Sequence, residues 1–177
     1  KLDQPILTND ELARIRKLNR GNLKAVTLPM LYRLADGGAG LRTALEKLCT
    51  DASQAIENGY SLLILSDRQA DQENAPIPAL LATAAVHNHL IRKLQRTRCG
   101  LIIESGEPRV VHHFALLIGY GAGAVNPYMV GQILDDMIKQ ELLTGIEWKY
   151  AAKNFVKSIN KGLLKVMSKM GISTLHS

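Results

Sequence analysis

Three groups of residues in this sequence have types and spacings that could do chemistry. Gly119, Gly121 and Gly123 alternate in "GYGAGA" and could bring backbone N–H groups close to a phosphate. Four of the five histidines occur as two pairs, His87 with His89 and His112 with His113, and imidazoles hold metals or move protons. Asp67, Arg68 and Glu104 lie at the ends of the apolar runs in "YSLLILSDR" and "CGLIIES", where strands of a parallel sheet would present them together. Each pattern has a structural alternative. A dinucleotide fingerprint requires a strand, then G-x-G-x-x-G, then a helix. Here "RVVHHFALLIGY" before the glycines is helical in character, so the glycines fit close packing or helix termination. Neither histidine pair has the i, i+4 spacing of a zinc helix, and they read as satisfied core or interface side chains. The strand-end charges could equally cap helices or pair with one another.

No nucleophile stands out: G-x-S-x-G, H-E-x-x-H and G-x-x-x-x-G-K-[ST] are all absent. Cys49 and Cys99 lie far apart and cannot by themselves supply the three or four ligands of a zinc or iron–sulfur site. They read as two buried thiols of a reducing compartment, with a single disulfide as the alternative. No metal, cofactor or catalytic group is assigned from the residues alone.

Any scaffold for these groups is α/β. "LKAVTL" (23–28) is a short strand-like run, and "GLRTALEKLCTDASQAIENG" (40–59) carries Leu41, Leu45, Leu48, Ala52 and Ile56 at helical spacing with Gly59 as a stop. "YSLLILSD" (60–67) and "CGLIIES" (99–105) are apolar without alternation, which suits strands buried on both faces. Between them, the polar loop "QADQENAPIP" leads into a helix over 78–96 opened by Pro78. "GEPRVVHHFALLIG" supplies a third helix. This order predicts repeated βα units with parallel strands, a partial (β/α) barrel, followed by a helical C-terminal part. There, "YMVGQILDDMIKQELL" and "AAKNFVKSINKGLLKVMSKMG" read as helices and "ISTLHS" as a terminal strand. No linker divides the chain, so residues 1–177 read as one unit.

Hydrophobic residues make up 46% of the chain, too many for disorder. No apolar run approaches the roughly 20 residues that span a bilayer, and "KLDQPILTNDEL" has no signal-peptide h-region. Neither a membrane nor a secreted setting is expected. The net charge of +6 is uneven: residues 148–177 hold six lysines and no acid, so the remainder sums to zero. Lys149, Lys153, Lys157, Lys161, Lys165 and Lys169 recur every four residues beside an apolar stripe of Val156, Ile159, Leu163, Val166, Met167 and Met170. The lysines suit nucleic acid, an anionic membrane, an acidic protein surface, or a solvated helix face. Slight aromatic interleaving and the absence of Arg weigh against nucleic acid, and the solvated face is favoured.

Several segments together resemble the large subunit of glutamate synthase, in its central domain: "YSLLILSDR", "PIPALLATAAVHNHLIR", "GLIIESGEPRVVHHFALLIGYGAGAVNPY" and "INKGLLKVMSKMGISTL". They occur in the family's order and cover most of residues 60–175, with a looser fit before residue 59. The resemblance implies a multidomain enzyme that makes two glutamates from glutamine and 2-oxoglutarate. An amidotransferase domain with an N-terminal cysteine releases ammonia, and a flavin domain with FMN and a 3Fe–4S cluster reduces the imino intermediate. The central domain links the two and helps form the ammonia tunnel. Neither the cysteine nucleophile nor the FMN and cluster sites are expected within residues 1–177. The implied partners are therefore the amidotransferase and FMN domains of the same polypeptide, with an electron-donor partner for the whole enzyme. The implied compartment is the cytoplasm, or the plastid of a photosynthetic eukaryote. Two rival readings stand beside it. One is a self-contained barrel-like protein binding a phosphorylated ligand through Asp67, Arg68 and Glu104; the other is a module whose basic tail meets an acidic partner.

Overall fold

A computed structural model describes residues 4–175. Its centre is a five-stranded sheet in the order β1 (Asn19–Arg20), β2 (Leu23–Pro29), β4 (Leu62–Ser66), β6 (Gly100–Glu104), β7 (Ala124–Asn126). The pairs β2–β4, β4–β6 and β6–β7 are parallel, and only β1 runs antiparallel, as a short hairpin on the edge of β2. The parallel strands are neighbours in the order in which they occur in the chain, as in half of a (β/α) barrel. The long connections are helical: α2 (Gly37–Glu57), α3 (Ala79–Arg92) and α4 (Val111–Gly119). A second, two-stranded ribbon pairs β3 (Leu31–Arg33) with β5 (Asn74–Pro76) beside the carboxyl ends of β2 and β4.

Register separates the two faces of the sheet, because side chains alternate along each strand. Leu28, Leu63, Leu65, Leu101, Ile103 and Val125 join the larger core cluster with Leu48, Ala52 and Ile56 of α2, Val86 and Leu90 of α3, and Phe114 and Leu117 of α4. The opposite face carries Ile64, Ile102 and Ala124, and these pack with Leu7 and with Leu12 of α1 (Asn9–Arg16). Both faces are covered, which explains why β4 and β6 read as apolar runs without alternation. The segment before α1 runs parallel to β7: Ile6 bridges Val125, Leu7 N–H donates to the Val125 carbonyl at 2.9 Å, and Val125 N–H donates to the Pro5 carbonyl at 2.8 Å. Thr8 then starts α1 with a reciprocal cap, its hydroxyl accepting from Glu11 N–H while Glu11 accepts from Thr8 N–H.

The expected elements are present with shifted ends. Helix α2 begins at Gly37 rather than residue 40. Pro78 is the cap of α3 and not its first residue, and the helix stops at Arg92 because Leu94 takes a positive φ of 56°. Residues 128–170 form α5 (Tyr128–Lys139) and α6 (Trp148–Met170), and α6 packs on α4. The terminal strand is a correction. Residues 172–175 form no strand, while 176 and 177 lie outside the described residues. Without a neighbouring edge, the apolar Ile172 and Leu175 instead line a groove between α4 and α6. No described helix is long and apolar enough to cross a membrane.

Candidate functional site

The carboxyl ends of β4 and β6 bring together the three charged residues singled out in the sequence. Glu104 ends β6 on the inner face, 1% exposed, opposite Ser66 of β4. Its Oε2 accepts from Ser66 Oγ at 2.5 Å and from an Arg16 guanidinium N–H at 2.6 Å. Its Oε1 accepts from Arg68 at 3.3 Å. Two guanidiniums and a hydroxyl thus compensate a carboxylate that burial alone would make costly. Arg68 also lies over the Tyr128 ring, 4.9 Å from its centre, a cation–π contact that orients its fork.

Asp67 belongs to the same layer but turns the other way. It is 3% exposed and accepts from Ser105 Oγ at 2.6 Å and Gly106 N–H at 3.2 Å, tying the loop after β4 to the loop after β6. Burial raises its pKa, opposed by the hydrogen bonds from Ser105, Tyr128 and Gly106. The Tyr128 hydroxyl is pushed up to about 12 by burial and the adjacent Asp67 carboxylate. Glu107 accepts from Ala79 N–H at the start of α3, a favourable place for a carboxylate, although burial raises its pKa as well. Asn126 completes the row by donating to the Leu7 carbonyl at 2.9 Å and to Asn9 Oδ1 at 3.0 Å. These groups mainly lock loops to loops and α1 to the sheet. A cavity of about 270 Å³ remains beside Arg16, Thr27, Arg68 and Glu104.

Sequence reasoning nominated Asp67, Arg68 and Glu104 and missed Arg16, Ser66, Ser105, Tyr128 and Asn126. The signal for Ser66 was parity, since it shares the inner face with Ile64 as Glu104 shares it with Ile102. Arg16 carried no signal, because its partner lies 88 positions away.

The glycines are at the opposite end of the sheet, before β7. Gly119 closes α4 and Gly121 turns the chain at φ 114°. The amides are engaged: Gly121 N–H with the Ile118 carbonyl, Ala122 N–H with Leu117, Gly123 N–H with Leu101. A phosphate cradle needs free amides at a helix N-terminus, so this stretch does not fit a flavin or nucleotide phosphate. The inner face, where a barrel's other strands would lie, is covered by Leu12. Two cysteines, both free thiols with Cys49 buried and Cys99 half-buried, do not fit a three-cysteine cluster. Burial raises the pKa of both. Among the described residues, no group of three His, Cys, Asp or Glu side chains could hold a metal.

The histidines have structural partners. Arg96 donates from Nε to His87 Nδ1 at 2.9 Å and from its other nitrogens to the Cys99 and Gly121 carbonyls. His89 Nε2 lies 2.9 Å from Ser53 Oγ, joining α3 to α2. His113 Nδ1 accepts from Arg109 N–H. His112 lines the α4–α6 groove. All six lysines of α6 are exposed, as a solvated face requires.

Comparison with known proteins follows the same lines. Solved structures with this fold include a flavocytochrome b2 variant with benzoylformate, at TM-score 0.59 and 14% identity, covering 97% of this chain and 37% of that one. A mandelate oxidase variant matches at TM-score 0.57 and 11% identity, covering 98% and 60%. At such identities they establish the α/β architecture alone. Sequence relatives are closer: the NADPH glutamate synthase large chain of Bacillus subtilis is 44% identical along the whole chain. The NADH glutamate synthase of Schizosaccharomyces pombe is 39% identical, and the chloroplastic ferredoxin-dependent enzyme of Spinacia oleracea 38%. This chain spans only 11%, 8% and 12% of those three proteins. The model of the glutamate synthase central domain matches residues 1–177, and with these relatives aligned along its length the chain belongs to that family.

Proposed function

We propose that this chain is a connecting domain, without catalysis of its own, in a larger glutamate synthase polypeptide. It joins the glutaminase and FMN synthase domains and helps wall the path that carries ammonia between them. The observation that supports this reading is the strand-end layer itself. Glu104, Asp67, Ser66, Ser105 and Asn126 are engaged with one another or with α1, and Leu12 closes the inner face. A barrel-type active site keeps both open for substrate. FMN and the 3Fe–4S cluster belong, on this reading, to other parts of the polypeptide, whose reaction consumes glutamine and 2-oxoglutarate. The relatives use NADH, NADPH or ferredoxin by name at similar identity, so the electron donor meets the enzyme elsewhere. The setting is the cytoplasm, or a plastid where the host has one.

The apolar groove between α4 and α6, about 440 Å³ and lined by Leu116, Tyr120, Leu163, Met167 and Met170, is the face we assign to contact with a neighbouring domain. Some nine-tenths of each relative's length lies outside this segment, which makes another part of the same polypeptide the occupant. Purified 1–177 is expected to carry no flavin absorbance and to hydrolyse no glutamine; a yellow preparation with stoichiometric FMN would overturn the reading. In the full-length enzyme, Leu12→Ala is expected to raise the ammonia released per glutamate formed. Unchanged stoichiometry would count against the conduit role.

A further inference from the structure

The cavity at the strand ends has a composition that mutual anchoring leaves unexplained. Arg16 and Arg68 converge on it from α1 and from the loop after β4, with Glu104 as its floor and Gln69 at its side. Two guanidiniums face one carboxylate, so the lining carries an excess positive charge. Each guanidinium has five N–H donors. Among the described residues, Arg16 and Arg68 each direct one of them to Glu104. Both forks are two-fifths exposed at the cavity edge. Thr27, on the inner face of β2, lines the same cavity, and its Oγ1 is buried without a hydrogen-bond partner. A buried hydroxyl left unpaired is costly, and a turn about χ1 that brings Oγ1 from beneath the wall into the cavity would let a ligand oxygen remove that cost.

We propose that this cavity is a binding site for a small oxyanion, carboxylate or phosphate, held by the free donors of Arg16 and Arg68 with Thr27 Oγ1 donating to it. Charge selects the anion: the Glu104 acceptors are already engaged by Arg16, Arg68 and Ser66, so a cation finds no free carboxylate oxygen pair, whereas an anion meets unused donors. About 270 Å³ admits an oxyanion head with a short body. The site is compatible with the connecting role, because the anion would take only the outer donors of Arg16 and Arg68 and leave the Glu104–Ser66–α1 anchors in place.

Calorimetric titration of the 177-residue chain with orthophosphate, and separately with acetate, distinguishes the two sources of the chemistry. Saturable binding of either supports the site, and competition between them places both in one cavity. Arg68→Gln is expected to weaken binding about tenfold. Because loss of Arg68 could disturb Glu104, Thr27→Val serves as the second variant: it keeps the β-branched shape, removes only the hydroxyl, and is expected to weaken binding at least threefold while leaving the fold intact by circular dichroism. Amide shifts on titration should centre on residues 16, 27 and 68. No saturable binding of either anion, or affinity unchanged in Thr27→Val, overturns the proposal. Flavin in the purified chain would refute the connecting role without touching this one.

Discussion

His87, Arg96 and Gly121 form a tight residue-scale arrangement. A Cβ on Gly121 would run into the His87 ring, and the backbone there has φ 114°. Gly121→Ala therefore combines backbone strain with a steric clash and is expected to cost about 2 kcal/mol or more, read by urea denaturation. His87 accepts from Arg96 only while Nδ1 is unprotonated, and its pKa is lowered by burial and by that guanidinium. His89 is lowered too, by burial and by Lys93 and Arg92. A depressed imidazole binds its proton less readily when folded than when unfolded. Its contribution is therefore complete above the ordinary value of 6.5 and is lost as pH falls through the lower folded value. Melting temperature should fall on acidification below pH 6.5, and His87→Gln should flatten that slope. An unaltered slope would show that His87 is not the titrating group. Asp67 has the opposite sign: a raised carboxyl contributes most below its unfolded value of 3.8 and loses that contribution as pH rises through the folded one. The glycines were legible as packing and turn residues from the helix before them, but which ring Gly121 admits was not, since His87 lies 34 positions earlier.

At the scale of elements, α1 and α6 determine how the half barrel is finished. Leu12 of α1 is 2% exposed against Ile64 and Ile102, so Leu12→Ala is expected to cost about 2–5 kcal/mol in the isolated domain. Gly162 in α6 presses on Val111 of α4, where an added Cβ would collide with the valine methyls. Gly162→Ala gains about 1 kcal/mol of helix propensity and meets an overpacking cost of about 1–3 kcal/mol. The net expectation is destabilisation, and a raised melting temperature would show that the helices can move apart. Strands β2, β4 and β6 were legible because each is an apolar run of strand length. The three-residue β3, β5 and β7 and the two-residue β1 are too short to show a period. Helix α1 was not legible, because its single buried residue, Leu12, draws no apolar stripe. The ending at 172–175 failed as a strand for the converse reason: strand-like composition without a sheet edge to join.

At the scale of the whole molecule, the sequential parallel order of β2, β4, β6 and β7 makes one half of a barrel whose open side is filled by Leu7 and Leu12. The excess charge is confined to one exposed helix, away from the neutral remainder, so it is legible in the sequence as a solvated face. Its influence on association should be electrostatic and disappear in salt. Pro5 to Leu7 find their partner in Val125, which has consequences for the order of assembly. A chain emerging from the ribosome at about 5–20 residues per second exposes residues 5–12 well before β7 exists. Until then Pro5 to Leu7 lack the edge they pair with, although Leu12 can already meet Ile64 and Ile102. The last strand of the sheet is thus the signal that lets Pro5 to Leu7 settle, and that edge stays open until β7 has been made.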